Sequence, residues 1–370
     1  MRKNLFASFL ILLCLVLSGW GSKGHRKVSQ NFAACLPGEM SFLQPVWTTF
    51  VGNHASDADD RKAWDPDEGP KHYIDIDNYA EFVADGRIPQ TLDSAILVHG
   101  SYFVYDNGIL PWATLTTFDS LQSCFERLDW AKAVLFASDL GHYVADGHMP
   151  LHITRNYNGQ YTGNTGIHSR YESAMINSYI SQITYEGFEI GEIEDVNQYV
   201  FNYMYGNYPF VDSVIAADDY AYAIAGNTNS SNYRQALWDK SKGFTILMFK
   251  NASHALTELI YTAWRRAGSP DMSPDFVFNP DAGSLVSLEQ NVPNPFRTST
   301  KISYNLSRNS DVLLQVFDQS GKLIATLANE QQEQGSYSID WNPVRLKAGT
   351  YNLLLQAGKT ISFKKMIVMN

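Results

Sequence analysis

The chain has 370 residues, 45% of them hydrophobic and 18% charged, a balance that supplies sizeable cores and excludes a disordered or collagen-like chain. With 38 Asp+Glu against 28 Lys+Arg its formal charge is −10. Such a chain repels duplex DNA and anionic membranes, which argues against a basic-patch nucleic-acid module and leaves room for an enzyme that meets phosphates through bound metal cations.

Arg2 and Lys3 precede an apolar run from Leu5 to Leu17 that is too short to span a bilayer, and Ser18-Gly19 supplies small residues for cleavage. Residues 1–19 therefore read as a secretory signal peptide, with no transmembrane segment expected in the mature chain. Export leaves Cys35 and Cys124. An oxidising compartment permits a disulfide between them, and the sequence leaves that pairing open.

Residues 20–267 carry helical periodicity, clearest over Ala131–Gly147, which Pro150 stops, and over Leu237–Arg266. An all-α domain is expected there. Residues 268–284, rich in Gly, Ser, Pro and Asn, read as a linker. Beyond it the period becomes two. Residues 301–306, 312–318, 337–341 and 351–356 read as short strands punctuated by Ser320-Gly321 and Ala348-Gly349, so 285–370 is expected to form a small all-β sandwich.

Within the helical stretch the ligand-type residues fall into a pattern. His142 and Asp146 are four apart, hence on one helix face; His152 follows just past Pro150; His168 and Glu172 are again four apart, at the start of a further helical run over 171–180. His25, Asp57, Asp59 and His72 lie upstream. Imidazole and carboxylate are the ordinary ligands of catalytic zinc, and an i,i+4 pair lets one helix supply two. Five histidines and several carboxylates exceed the need of one ion, which implies a polynuclear site with a bridging carboxylate. His54, His99, His148 and His254 read as structural or solvated.

Two resemblances sharpen these readings. The tail resembles the C-terminal sorting domain of the type IX secretion system, on residues 288–296 (Leu288 to Phe296), 300–304, 316–318, Gly321-Lys322, 335–337, Trp341, 348–351 and 364–366. This implies engagement with that secretion machinery and a protein secreted from, or attached to the outer surface of, a Gram-negative bacterium. A carbohydrate-binding or adhesive sandwich is the other reading of such a tail. The signature His142-x-x-x-Asp146, His152, His168-x-x-x-Glu172 resembles the superfamily of zinc-dependent phospholipases C and single-strand-specific zinc nucleases, over residues 20–172 and more loosely beyond. There the mature N-terminus is a tryptophan that binds metal through its amine and carbonyl; Trp20 matches it. The resemblance implies three zinc ions: one on Asp57, His72, His142 and Asp146, one on His152, His168 and Glu172, one on Trp20, His25 and a bridging Asp146. Asp57 is chosen over Asp59 for its spacing to His72, with Asp59 in reserve, and it is also expected to orient the attacking water.

The expected activity is zinc-dependent phosphodiester hydrolysis, with Asp57 and Asp146 as the catalytic carboxylates. Glu172 resembles the phospholipases, whereas the spacing of Trp20 to His25 and the run His72-Tyr73-Ile74-Asp75 resemble the nucleases, in which Tyr73 would stack on a base. A phospholipid is the preferred substrate, single-stranded nucleic acid the alternative, and a non-catalytic zinc-holding surface protein a third reading. Lys23, where choline-specific phospholipases carry an acidic residue, argues against choline selectivity. Arg61 reads as a phosphate contact or a surface residue, and the polar loop 156–164 as a pocket rim or an exposed loop.

Overall fold

The computed structural model describes residues 21–44, 46–63, 65–271, 286–318, 323–343, 346–358 and 360–369. The expected signal peptide, Trp20 and most of the expected linker fall outside them. Among the described residues up to 271 every regular element is a helix, and no helix is long and apolar enough to cross a membrane.

The described residues form twelve α-helices, of which α8 (Trp130–Gly147) is central. The others are α1 (Gly21–Asn31), α2 (Val46–Asn53), α3 (Asp57–Arg61), α4 (Ala80–Asp85), α5 (Leu92–His99), α6 (Ser101–Asp106), α7 (Leu110–Glu126), α9 (Ile176–Tyr179), α10 (Val196–Asn207), α11 (Phe210–Ala225) and α12 (Ser231–Arg266). The Asp129 side chain caps α8 by accepting from Lys132 N at 3.2 Å. From Leu140 to Gly147 every residue of α8 is buried, because α1, α2, α7 and α12 all pack on it. Gly141 permits this crowding: a Cβ there would come within 2.8 Å of Ser29 Oγ and 3.1 Å of Leu256 Cδ2. α12 begins earlier than its apolar pattern suggests, since Ser230 Oγ caps it by accepting from Tyr233 N. It also anchors α1: Ser253 donates to the Val28 carbonyl (3.2 Å) and Thr257 to that of Phe32 (2.9 Å).

The C-terminal strands form two antiparallel sheets, β1-β2-β5 and β4-β3-β6-β7, from β1 (Val286–Leu288), β2 (Thr300–Leu306), β3 (Ser310–Asp318), β4 (Leu323–Gln332), β5 (Gly335–Trp341), β6 (Gly349–Ala357) and β7 (Thr360–Val368). Alternate residues point inward, with Ile302, Tyr304, Leu314, Val316, Leu353 and Met366 in a shared core. The all-α region followed by a small all-β sandwich is the expected fold class. Three strands go beyond the expected four: β1, β7, and β4, an edge strand whose residues are mostly exposed and which therefore lacks an alternating apolar signal. Cys35 and Cys124 are buried free thiols, not a disulfide. Cys35 Sγ instead lies 2.8 Å from Tyr185 Oη and accepts from Phe188 N.

The segment 70–75 is clamped on two sides: Ile109 N donates to Pro70 O, Leu110 N to Tyr73 O, Asp75 N to Asn107 O, and Ile74 N to His152 O. Gly108 sits at φ +83, where a Cβ would lie 2.1 Å from the Tyr73 carbonyl oxygen. Gly108→Ala should therefore cost about 1–3 kcal/mol, from the left-handed backbone and the displaced Tyr73 together. A denaturation midpoint equal to wild type would show that this clamp is slack.

Candidate metal centre

Asp146 lies at the heart of the helical region, fully buried on α8. Its Oδ2 is 3.2 Å from His142 Nε2, one turn earlier on the same helix, and 3.2 Å from His72 Nδ1. Its Oδ1 is 3.5 Å from His25 Nε2 and 3.4 Å from His152 Nδ1. The His25 ring, carried in by α1, stacks on that of His142 with centroids 3.9 Å apart. His152 lies in the short 3₁₀ turn Pro150–His152 just after α8. His168 and Glu172 lie at the start of a π-helical turn, Ser169–Met175, that leads into α9, so the helical run expected over 171–180 is π-helical in its first part and α-helical from Ile176 to Tyr179. His168 Nε2 is 3.0 Å from Glu172 Oε1, and His152 Nε2 is 3.4 Å from Glu172 Oε2.

Donor atoms from His72, His142 and Asp146 lie within 4.8 Å of one another, as do those of His152, His168 and Glu172, and those of His25, Asp59 and His142. The first two groups bring together residues of sets that the resemblance implies, without Asp57; the third joins His25 to Asp59 and His142 rather than to Asp146. Asp57 does not reach the cluster: it is part-exposed and bonded to His54 Nδ1 at 2.6 Å. Asp59, the reserve choice, lies at the cluster: it is buried, 3.6 Å from His72 Nδ1 and 3.7 Å from His142 Nε2, with Lys62 Nζ at 2.6 Å. Residues two apart on a helix point about 200° apart, so α3 can turn only one of them inward.

Backbone carbonyls fix three of the rings. His142 Nδ1–H donates to Ala55 O (2.7 Å), His152 Nδ1–H to His72 O (2.6 Å) and His168 Nδ1–H to Tyr157 O (3.1 Å), so each turns its Nε2 towards the cluster. Glu68, which lies outside the spacing motif, is buried beside His72. Its separation from His72, four residues, is the one sequence signal that marks it.

The charge balance follows from burial. Desolvation and the neighbouring His142 push His25 down to about 3, keeping it neutral. Burial alone would do the same to His142 and His152, but Asp146 overrides it for both, with Asp59 helping at His142 and Glu172 at His152, and each rises to about 9. Burial works against the Asp146 carboxylate too, but His152 and His142 hold it well below the usual carboxylate range. Both ring nitrogens of His25, Nε2 of His72, His152 and His168, Asp146 Oδ1 and Glu172 Oε2 are buried without a well-formed hydrogen bond. Leaving such atoms unsatisfied costs about 1–3 kcal/mol each. Five imidazoles and three carboxylates without a thiolate form a donor set that suits zinc or a similar divalent cation, and the unsatisfied atoms other than His72 Nε2, which faces Glu68, are ones a cation would take.

The other singled-out residues have different surroundings. Tyr73 is half-buried and donates to the Asp106 carbonyl at 3.2 Å; burial, Asp75 and Asp106 push its phenol up to about 12. Arg61 bonds to Asp139 (3.0 Å) and Glu68 (3.3 Å), an internal ion pair rather than a free phosphate contact. His54, His99, His148 and His254 lie outside the three donor groups. His148 stacks on Tyr203 and bonds to Val144 O. In loop 156–164 the Asn164 amide donates to Asp218 and Asp219, while Tyr161 stays exposed. A groove of about 880 Å³, bordered by Trp112, Asp119 and Arg266, carries none of the clustered donors. A smaller one of about 360 Å³ lies behind α3, against His54, Asp57 and Arg61.

Residues 292–369 match the family model of the secretion system C-terminal sorting domain. The tail is thus a sorting domain, which marks the chain for secretion or attachment at the cell surface. No curated protein matches the chain. Among solved structures, the alpha toxin from Clostridium absonum aligns with a TM-score of 0.44 at 10% identity, over 95% of this chain and 98% of that one. The Clostridium perfringens alpha-toxin from avian strain SWCP aligns with a TM-score of 0.43 at 12% identity, over 95% and 100%.

Protons on His142 and His152 compete with any cation for the same atoms. In protein stripped of metal both rings are held near 9, so metal uptake should release protons and tighten as pH rises from about 6.5 towards 9. Chelator-competition titrations at pH 6.5 and pH 8.5 measure this. Equal affinity at both would mean that these two rings do not bind the ion.

Proposed function

We propose that the chain is a secreted zinc-dependent phosphodiester hydrolase of the phospholipase C type, exported by a Gram-negative cell through its sorting tail. The observation that carries this reading is the convergence of His25, Asp59, His72, His142, His152, His168 and Glu172 with the buried Asp146 in three donor groups, several of whose atoms are unsatisfied. Three zinc ions are expected. His72, His142, Asp59 and Asp146 would hold one; His152, His168 and Glu172 a second; His25 and Asp146 a third, together with Trp20, which lies outside the described residues. Zinc supplies charge for the phosphoryl oxygens and brings bound water to a pKa of about 7.

The protein's own part is to hold and orient. Asp146 offers different oxygens to different histidines, Oδ2 to His72 and His142 and Oδ1 to His25 and His152, which suits a bridging role. Asp59, which lies nearer His72 and His142 than Asp57 does, would orient and deprotonate the attacking water. The backbone carbonyls that fix His142, His152 and His168 keep those rings from turning during turnover.

Two features favour lipid over nucleic acid. Glu172 completes the second donor group, as in the phospholipases that the sequence resembles. Leu97, Val98 and Tyr102 are exposed at 86%, 64% and 83% on α5 and α6, and the end of α6 is tied to Tyr73, beside His72. Exposed apolar side chains on helices tied to the His72 segment suit a lipid surface, and the acidic chain suits a polyanion poorly. Tyr73 beside His72 supports the alternative, an extracellular single-strand-specific nuclease with that ring as a base platform.

Purified mature protein given phosphatidylcholine, other phospholipids and single-stranded DNA should release phosphorylated head groups and leave DNA intact, with all activity lost to chelator. Cleavage of DNA alone would establish the nuclease instead, and no cleavage of either with metal bound would leave a zinc-holding surface protein. Asp146→Ala should abolish activity. His148→Ala, two residues on, should keep most of it while losing about 2–4 kcal/mol of stability through the cavity under Tyr203. Loss of activity from both alike would overturn the assignment of ligands on α8.

In the native host, removal of residues 285–370 should stop the protein from reaching the medium or cell surface, as immunoblotting of the cell fractions would show. Normal appearance outside the cell would mean that the tail is dispensable for export.

A further inference from the structure

His72 is the exception among the clustered rings. His142, His152 and His168 each spend Nδ1–H on a backbone carbonyl, whereas His72 turns Nδ1 into the cluster, 3.2 Å from Asp146 Oδ2 and 2.9 Å from His142 Nε2. Its Nε2 points away, and Glu68 Oε1 lies 3.4 Å from it, one turn back in the chain. Glu68 is 1% exposed and held from several sides: Tyr143 Oη donates to Oε1 (2.5 Å), Arg61 Nη2 to Oε1 (3.3 Å) and Lys71 Nζ to Oε2 (2.8 Å). A carboxylate buried with two cations and a phenol on it has its position set before any ligand arrives.

From this we infer that Glu68 is a positioning residue: it takes the Nε2 proton of His72 as a hydrogen bond, fixes that ring in the tautomer that presents Nδ1 to the metal centre, and raises its donor strength. The inference rests on the proposed metal site. Its physical basis is that a neutral imidazole has one donor and one acceptor nitrogen, and the partner of the first decides which atom is left to ligate. A backbone carbonyl can only orient a ring; a carboxylate also adds electron density, making His72 a stronger ligand than its neighbours. Arg61 and Lys71 keep Glu68 ionised despite its burial, and Tyr143, one residue after His142 on α8, ties the Glu68 loop to the helix that carries Asp146. Arg61 thereby has a use within the fold, two bonds removed from the cluster.

The test uses the full mature chain loaded with zinc. ¹⁵N-imidazole spectra of the wild type should show His72 protonated at Nε2 and coordinated through Nδ1, the reverse of His142 and His168. His72 with its proton on Nδ1 would overturn the inference outright, with no variant needed. Glu68→Gln should weaken zinc affinity for one ion by about 10–100-fold in chelator competition. Asp67→Asn, at an exposed position next to Glu68 in the same loop, should leave it within a few-fold of wild type. Equal losses from the two variants would mean that the loop, not the contact with His72, is at work. Wild-type protein that takes up no zinc would instead overturn the metal-site reading itself, whereas zinc uptake with unchanged affinity in Glu68→Gln would overturn only the role of Glu68.

Discussion

A carboxylate without water needs partners, and Asp146 has none of the ordinary solvent compensation. Placing such a charge in the middle of a packed helix costs several kcal/mol unless cations or hydrogen bonds answer it. The fold answers it with histidines from four separate segments: α1, the 70–75 segment, α8 itself and the turn after α8. The crowding of α8 on every side, the small residues Gly141 and Ser29 at its crossing with α1, and the clamp on residues 70–75 are all conditions for bringing those rings to one point.

The rings are aimed by the main chain more than by other side chains. The carbonyls of Ala55, His72 and Tyr157 belong to segments pinned by their own hydrogen bonds, so the directions of His142, His152 and His168 are inherited from the backbone. His72 both receives and gives in this scheme: its carbonyl orients His152 while its own ring faces Glu68. The donor groups are thus linked through one residue, and a shift of the 70–75 segment would be felt in two of them.

Much of this is legible in the sequence because helical spacing is a geometric statement. His142 with Asp146 and His168 with Glu172 are four apart, and both pairs converge, the second even though its turn is π-helical rather than α-helical. Where no regular element supplies the geometry, spacing decides less. In the run Asp57 to Asp60, two neighbouring choices point to opposite sides of a five-residue helix, and only the packing of α3 on α8 selects Asp59. Glu68 escapes a reading by motif because its partners Arg61, Tyr143 and His72 come from three places in the chain. In the tail, the strands with alternating apolar residues are readable, whereas β4, mostly exposed at a sheet edge, carries no such alternation.

The bonds from Ser253 and Thr257 on α12 to the Val28 and Phe32 carbonyls join residues 225 apart in the chain. α1 therefore completes its seat only when α12, at the far end of the helical region, is in place, although it also packs on α2 and α8. Contacts so far apart in the chain raise the contact order of the helical region, which slows folding. The seat of His25 thus depends on both ends of that region, and a change in the middle of α12 would be felt at the metal centre through α1.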